Sequence, residues 1–231
     1  MAEKKNLTLM VGHTYLYSPT VRRIKEIISD GDLGEILYIS SRRLNLGLFQ
    51  PDINVAWDLA PHDISIILYI MDAYPLYVNC QGKANVNKDI EDITNMTVDF
   101  GGKGFATIKS SWLDPNKVRE MTFVGTQRML VYNDIEPNEK IKIYDKRVEK
   151  PPHYDTFGDF QHSYHYGDMY SPYVKQDEPL KIQCQHFLDC IKSGDIPISG
   201  AEESLRVVQI LEASSRSLAN GGNRIEIERF Y

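Results

Sequence analysis

An aspartate and a histidine four residues apart are the side chains of this sequence best suited to move a proton. Asp58 and His62 lie in residues 54–71, where apolar residues recur at helical spacing. Residues four apart on a helix lie about one turn from each other on the same face. Histidine titrates nearest neutral pH, and a nearby carboxylate raises its proton affinity. The spacing is therefore typical of an acid/base pair that acts on a substrate hydroxyl.

The same two residues also fit a purely structural interpretation. Asp58 can cap the helix by accepting hydrogen bonds from its free N–H groups, with Pro61 tolerated in the first turn. His62 is then an ordinary first-turn histidine. A metal site on Asp58, His62 and Asp63 would need a further converging group, and the sequence indicates none, so we predict no metal. Residues 54–71 alone leave both the catalytic and the structural interpretation open.

The composition is that of an ordinary globular chain. Of 231 residues, 42% are hydrophobic and 25% are charged, and the formal net charge is −6. A negative chain has no basic field to attract nucleic acid. The sequence shows neither an apolar run near the ~20 residues of a membrane span nor a signal-peptide pattern, so we expect a cytoplasmic protein without a membrane partner. The three cysteines form no C-x-x-C spacing, which favours free thiols.

The elements around the pair follow from turn and cap residues. Residues 7–13 form an apolar stretch typical of a strand, and Ser18 and Pro19 begin a helix that Gly31 or Gly34 ends. Residues 34–43 are typical of a strand. Residues 44–54 predict a loop that leads into the central helix.

From residue 76 onwards the pattern changes to alternation. Six strands are predicted, at 76–86, 94–100, 104–112, 119–124, 128–132 and around 141–144. The glycines of 101–104 join two of them as a hairpin turn, and no helix follows them as in a phosphate loop. Helices are predicted after Pro179 and over 201–219, followed by a closing strand. Consecutive strands predict an α+β fold with an open, mostly antiparallel sheet and flanking helices.

An aromatic and polar segment covers residues 151–173. It is too polar for a core helix and too aromatic for a plain linker. It predicts a loop whose rings cover a ligand or a neighbouring subunit.

Five stretches resemble the Gfo/Idh/MocA (glucose–fructose oxidoreductase, inositol dehydrogenase) family of NAD(P)-dependent oxidoreductases. They are 9–19 (LMVGHTYLYSP), 31–38 (GDLGEILY), 57–64 (WDLAPHDI), 178–191 (EPLKIQCQHFLDCI) and 203–208 (ESLRVV). The resemblance covers nearly the whole chain and is greatest to UDP-N-acetylglucosamine-type 3-dehydrogenases. It implies the family's C-terminal substrate domain, whose fold is like the C-terminal domain of glyceraldehyde-3-phosphate dehydrogenase.

The resemblance also implies roles for individual residues. In that family an Asp-x-x-x-His pair lies against the sugar beside the nicotinamide, which here is Asp58 and His62. Position alone makes further residues candidates: for the cofactor and domain junction His13, Tyr15 and Tyr17, and for the sugar-nucleotide Arg42, Asn45, Tyr164, Tyr166 and Tyr170.

Two family motifs are missing from the sequence. These are G-x-G-x-x-G and the Glu-Lys-Pro that carries a catalytic lysine; Lys4 and Lys5 lie too close to residues 9–12 to replace it. We therefore expect residues 1–17 to be a remnant of the dinucleotide-binding domain and 18–231 to be the substrate-binding and oligomerisation domain. NAD or NADP serves the full-length family, and we expect this chain alone to bind neither.

Three functions follow as hypotheses. The chain is the substrate-binding domain of an oxidoreductase acting on a nucleotide-sugar hydroxyl, inactive alone; or a non-catalytic oligomerisation or regulatory module; or half of an enzyme completed by a separate Rossmann-domain chain. The expected partners are a nucleotide sugar and further copies of the chain, bound through the sheet.

Overall fold

A computed structural model describes residues 1–149 and 163–228 of the chain. The helices are α1 (Pro19–Ser29), α2 (Val55–Met71), α3 (Pro179–Ser193) and α4 (Ala201–Ala219). The strands are β1 (Ile36–Leu46), β2 (Tyr77–Lys83), β3 (Ile93–Asp99), β4 (Phe105–Ser111), β5 (Leu113–Gly125), β6 (Met129–Asn133), β7 (Ile141–Glu149), β8 (Ser163–Tyr170) and β9 (Ile225–Glu226). Three short 3-10 helices cover Glu3–Lys5, Thr14–Tyr17 and Gly101–Lys103.

The strands form one open sheet in the order β8-β7-β6-β5-β1-β4-β3-β2-β9. Only the β1–β4 pair is parallel among the described strands, and the others pair antiparallel. The predicted α+β fold with a mostly antiparallel sheet is confirmed. Strand β1 lies inside the sheet, and its Arg43 is opposite Arg119 of β5 and Ser110 of β4.

The core lies between one face of this sheet and helices α2 and α4. Strand residues that point to the helices, such as Ile39, Ile108 and Phe123, are fully buried. Because side chains alternate along a strand, their neighbours lie on the opposite face. There Tyr38 and Phe105 stack at 5.8 Å and stay partly exposed.

Helix α2 begins one turn earlier than the sequence predicts. Asn54, and not Asp58, is the N-cap: its side chain accepts a hydrogen bond from the Trp57 N–H at 3.2 Å. Pro61 consequently lies beyond the first turn, in the interior of the helix. Because proline has no N–H, one backbone hydrogen bond of the helix is missing at this position. With the cap supplied by Asn54, the Asp58 carboxylate is left for a tertiary contact.

Two other predictions of local structure are wrong. Residues 7–13 form no strand, because no described strand pairs with them; Val11 donates one backbone hydrogen bond, to Ser199, and Leu7 and Leu9 are exposed. The aromatic segment is not a loop over 163–170, since it adds β8 to the sheet edge, and its first part, 151–162, lies outside the described residues. A domain boundary near residue 17 stays a prediction.

The described helices include none whose length and apolar character would let it cross a bilayer.

Candidate functional site

His62 lies on α2 where the helix faces the 3-10 helix Thr14–Tyr17 and strand β1. Its imidazole is half-buried and packs against the Tyr15 ring, with 5.1 Å between ring centroids and 54° between planes. The Nδ1 atom is buried and has no hydrogen-bond partner among the described residues. Buried polar atoms in folded proteins are nearly always paired, so an unpaired one in a ring that can titrate is unusual.

A buried ion pair lies directly beside this histidine. Asp63 follows His62 in α2, and its Oδ1 accepts hydrogen bonds from Arg43 Nε at 3.0 Å and Nη2 at 2.6 Å. The two residues are 2% and 7% exposed. Burial of both partners makes this the charge pair that water screens least among those described. It ties α2 to the centre of the sheet.

Tyr15, on the 3-10 helix Thr14–Tyr17, joins the ion pair to a second charged group. Its hydroxyl accepts from Arg43 Nη1 and Arg119 Nη1, each at 3.3 Å, and donates to Asp134 Oδ2 at 3.2 Å. The Arg43 guanidinium also lies 4.9 Å from the Tyr15 ring centre. Tyr132 and Lys140 also bind Asp134. Burial alone would raise the pKa of this carboxylate, but its partners, led by Lys140, outweigh burial and lower the pKa below its ordinary value.

Burial lowers the pKa of His62, and the nearby positive charge of Arg43 adds to this effect. Asp63 opposes the shift, while His13 and Arg119 reinforce it. The pKa of His62 therefore shifts in the direction opposite to the one expected from a nearby carboxylate. In the folded chain the imidazole is held neutral, which is the form that accepts a proton.

Asp58 makes its contact with Trp112, between β4 and β5, instead of with His62. Its Oδ2 accepts a hydrogen bond from the indole Nε1 at 2.8 Å. The indole is 1% exposed and packs on the Phe49 ring at 5.3 Å. Gly47 lies so close to the indole that a Cβ atom added to it would be 2.5 Å from the ring. This close approach explains why the residue at position 47 is a glycine. Asp58 and His62 share a helix face without a hydrogen bond between them in the described structure.

The two predicted sugar contacts on β1, Asn45 and Arg42, lie in different surroundings. Asn45 is half-buried near Gly47 and thus on the Trp112 side of the site, where its role stays a prediction. Strand alternation places Arg42 on the other face of the sheet, where it pairs with Glu120 at 2.5 Å, and its assignment to the sugar-nucleotide stays a prediction. Arg43 is the arginine that reaches α2.

The three predicted junction residues are also separated by the fold. Tyr15 lies at His62, as described. Tyr17 is fully buried and its hydroxyl forms a hydrogen bond with the Ser199 hydroxyl at 2.9 Å, so it lies in the core of this chain. Its assignment to the cofactor stays a prediction. His13 is 8% exposed, its Nε2 has no described partner, and burial lowers its pKa. It lines a cavity of about 350 Å³ with residues of the Thr14–Tyr17 turn, α1, α2 and α4.

The predicted tyrosines of the aromatic segment do not meet His62. Tyr164, Tyr166 and Tyr170 lie on edge strand β8, which β7, β6 and β5 separate from β1. Tyr164 is 64% and Tyr166 73% exposed. The sheet order places them away from the α2 site within one copy of the chain, and their assignment to the sugar-nucleotide stays a prediction.

The described residues lack the glycine-rich turn that holds a dinucleotide in a Rossmann domain. Among residues 1–149 and 163–228, no glycine-rich turn leads from a strand into a helix, and Gly101–Lys103 links two strands. A pyrophosphate site of that kind needs such a turn and the helix N-terminus behind it. The same part of the chain contains no cluster of three His, Cys, Asp or Glu side chains that could hold a metal.

The histidines at positions 13 and 62 predict a pH dependence of stability. In the unfolded chain both histidines have their ordinary pKa of 6.5, and in the folded chain both pKa values are lower. Below pH 6.5 the unfolded chain therefore binds more protons at His13 and His62 than the folded chain does. The free energy of unfolding should therefore fall as the pH falls from 6.5 towards the lowered folded pKa values. Urea denaturation at several pH values would measure this slope. The double variant His13→Gln/His62→Gln should have a shallower slope, and an unchanged slope would contradict the lowered pKa values.

Comparison with known sequences gives two matches over this chain. The family model of the GFO/IDH/MocA C-terminal domain matches residues 21–131. The uncharacterized oxidoreductase YrbE of Bacillus subtilis is 23% identical over 238 residues, covering 94% of this chain and 63% of that protein.

Comparison with solved structures shows the same fold in known oxidoreductases. An inositol dehydrogenase homolog from Azotobacter vinelandii, solved with NADH and myo-inositol, matches with a TM-score of 0.74 at 14% identity, over 97% of this chain and 66% of that one. The UDP-N-acetylglucosamine 3-dehydrogenase GnnA from Acidithiobacillus ferrooxidans matches with a TM-score of 0.70 at 21% identity, over 95% and 65%. The chain spans less than two thirds of the lengths of YrbE and GnnA.

Proposed function

We propose that this chain, which belongs to the GFO/IDH/MocA family of oxidoreductases, is the substrate-binding domain of an NAD(P)-dependent enzyme that oxidises a sugar hydroxyl. The observation that carries the proposal is His62: a half-buried imidazole with an orphaned Nδ1, kept neutral by burial and by Arg43. A neutral imidazole in a polar site suits the removal of a proton from an alcohol.

The proposed chemistry divides between this chain and the cofactor. Oxidation of a secondary alcohol breaks the O–H bond, whose proton goes to a base, and the C–H bond, whose hydride NAD(P)⁺ accepts when it is bound. Here His62 is the base. Asp58, held at Oδ2 by Trp112, keeps Oδ1 for a hydroxyl of the sugar, and the half-buried Asn45 offers an amide on the same side. In this proposal the dinucleotide is bound by a separate domain and not by the residues described here.

A nucleotide-linked sugar is the substrate class that we favour. The motif resemblance is greatest to UDP-N-acetylglucosamine-type dehydrogenases, and GnnA, which carries that name, shares the fold. Arg119 is the partly exposed cation beside Tyr15 and His62, at 37% side-chain exposure, and is placed to meet an anionic group of the ligand.

Ligand-induced stabilisation tests the proposal. A ligand that binds only the folded chain stabilises it by about 2.7 kcal/mol at 100 times its Kd. We expect UDP-N-acetylglucosamine to raise the melting temperature of the chain, and NADH at the same concentration to leave it unchanged. Free UDP is the control for binding of the nucleotide alone. Stabilisation by NADH and by no sugar nucleotide would contradict the proposal.

We also propose that the sheet face opposite the helices packs on a second copy of the chain. Tyr38 and Phe105 leave aromatic surface exposed there, and the alternation of β4 places Thr107 near its centre. Sedimentation velocity should show a dimer or larger assembly that Thr107→Lys dissociates. Glu212→Lys, on the exposed side of α4, should leave the assembly intact. A monomeric wild-type chain at tens of micromolar would contradict this proposal.

A further inference from the structure

The Arg43–Asp63 pair lies beside the proposed base, and stability alone does not account for it. Replacing a buried ion pair by apolar residues of similar volume is often neutral or stabilising, because both charges lose hydration. A pair at 7% and 2% exposure therefore points to a role in specificity or function. Arg43 directs two donors, Nε and Nη2, at one oxygen of Asp63, and this fixes the orientation of the guanidinium.

The third donor of Arg43 reaches Tyr15. Arg43 from β1, Arg119 from β5 and Asp134 after β6 all hold the same phenolic oxygen, at 3.3, 3.3 and 3.2 Å. Three points of attachment on separate elements allow the Tyr15 ring little freedom. That ring is also the one that packs against His62, at 5.1 Å. The orientation of the imidazole is therefore linked to the ion pair through Tyr15.

We propose that Arg43 and Tyr15 are positioning residues, which hold the His62 imidazole in one orientation, ready to accept a proton from the substrate hydroxyl. This inference rests on the proposed function, in which His62 is the base. Neither residue needs to touch the substrate for this role. Tyr15 acts through ring packing, and Arg43 acts through its charge and through the hydroxyl of Tyr15.

The charges around His62 agree with this assignment. The groups that face it are Arg43 from β1, Arg119 from β5, His13 from the segment before Thr14–Tyr17 and Asp63 from α2. The first three disfavour the protonated imidazole, and Asp63 alone favours it. Arg43 has the largest effect of these charged groups, after burial itself. Removal of its charge should therefore raise the proton affinity of His62.

The test is an NMR pH titration of the His62 ring protons in the whole chain, with His62→Gln to assign the signals. Tyr15→Leu should raise the titration midpoint, because water reaches the imidazole. Arg43→Met should raise it too, because a positive charge is lost. Two controls match these changes: Arg22→Met removes a cation that lies 5.7 Å from the Tyr17 ring, and Tyr69→Leu removes another aromatic ring, on α2 itself. Neither control should move the midpoint.

Upward shifts in Tyr15→Leu and Arg43→Met with unchanged controls support the inference. An unshifted midpoint in Tyr15→Leu, or equal shifts in the controls, overturns it; Tyr15→Leu decides alone if Arg43→Met fails to fold. The titration uses no ligand. Failure of the proposed function would give a different result. The His62 titration would then show the expected shifts, but the wild-type chain would bind no sugar nucleotide.

Discussion

Arg43→Met should lower the free energy of unfolding by about 3–5 kcal/mol, because it leaves a buried carboxylate without its partner. The substitution keeps an apolar stem and removes the guanidinium, so Asp63 remains 2% exposed with an uncompensated charge. Tyr15 loses a donor at the same time. Urea denaturation monitored by circular dichroism would measure the loss.

Its neighbour on the same strand supplies the control. Arg42 also pairs with a carboxylate, that of Glu120, but its side chain is 51% exposed. Exposed pairs contribute about 0–1 kcal/mol, so Arg42→Met should have a small effect. The double variant Arg43→Met/Asp63→Leu should regain much of the lost stability, since no buried charge is then unpaired. Equal losses in Arg42→Met and Arg43→Met would mean that burial does not decide the cost of breaking these pairs.

Trp112→Ala should cost a similar amount, about 3–5 kcal/mol, because it empties a fully buried aromatic site. It also removes the indole donor to Asp58 and the surface on which Phe49 packs. The Asp58 carboxylate then loses its fixed position, so the affinity for a sugar nucleotide should fall as well. Denaturation and calorimetric titration of the same variant would measure both effects.

Trp112→Phe separates packing from hydrogen bonding. It retains most of the buried ring and loses the indole N–H. A hydrogen bond to a charged acceptor contributes about 1.5–3 kcal/mol, so the free energy of unfolding should fall by this amount. Asp58→Asn leaves an acceptor for the indole and removes the charge. If Trp112→Phe matched the wild type in stability and affinity, the hydrogen bond to Asp58 would have no role in the site.

The architecture could be predicted from the sequence because its signals are local and repeated. Period-two alternation after residue 76 and the glycines of 101–104 indicated an antiparallel sheet, and glycine or proline marked most helix ends. The start of α2 was missed, since both Asn54 and Asp58 are good N-caps and only the burial of Val55 and Ala56 decides between them. The segment 7–13 has a strand pattern, but pattern does not supply a pairing partner.

Of the candidate site, only the pair on α2 could be singled out from the sequence. His62 and Asp58 follow from helical spacing, whereas Arg43, Arg119 and Asp134 come together through strand pairing that a single sequence does not specify. One signal for Arg43 was present: Ile39, Ser41 and Arg43 share one strand face, and the apolar start of that row marks the core side. By the same alternation Arg42 lies on the other face of the sheet. Aromatic composition does not reveal the sheet order that places the tyrosines of β8 away from α2.

The most direct test of the central claim is a calorimetric titration of UDP-N-acetylglucosamine into three forms of the chain. The wild type should bind one ligand per chain, and His62→Ala should bind at least about tenfold more weakly, a loss of about 1.4 kcal/mol or more. His165→Ala removes a ring of edge strand β8 that pairs with Asp145 of β7, and this variant should bind like the wild type. A folded wild-type chain that binds no sugar nucleotide, or a His62→Ala variant of undiminished affinity, would contradict the assignment of this surface as the sugar site.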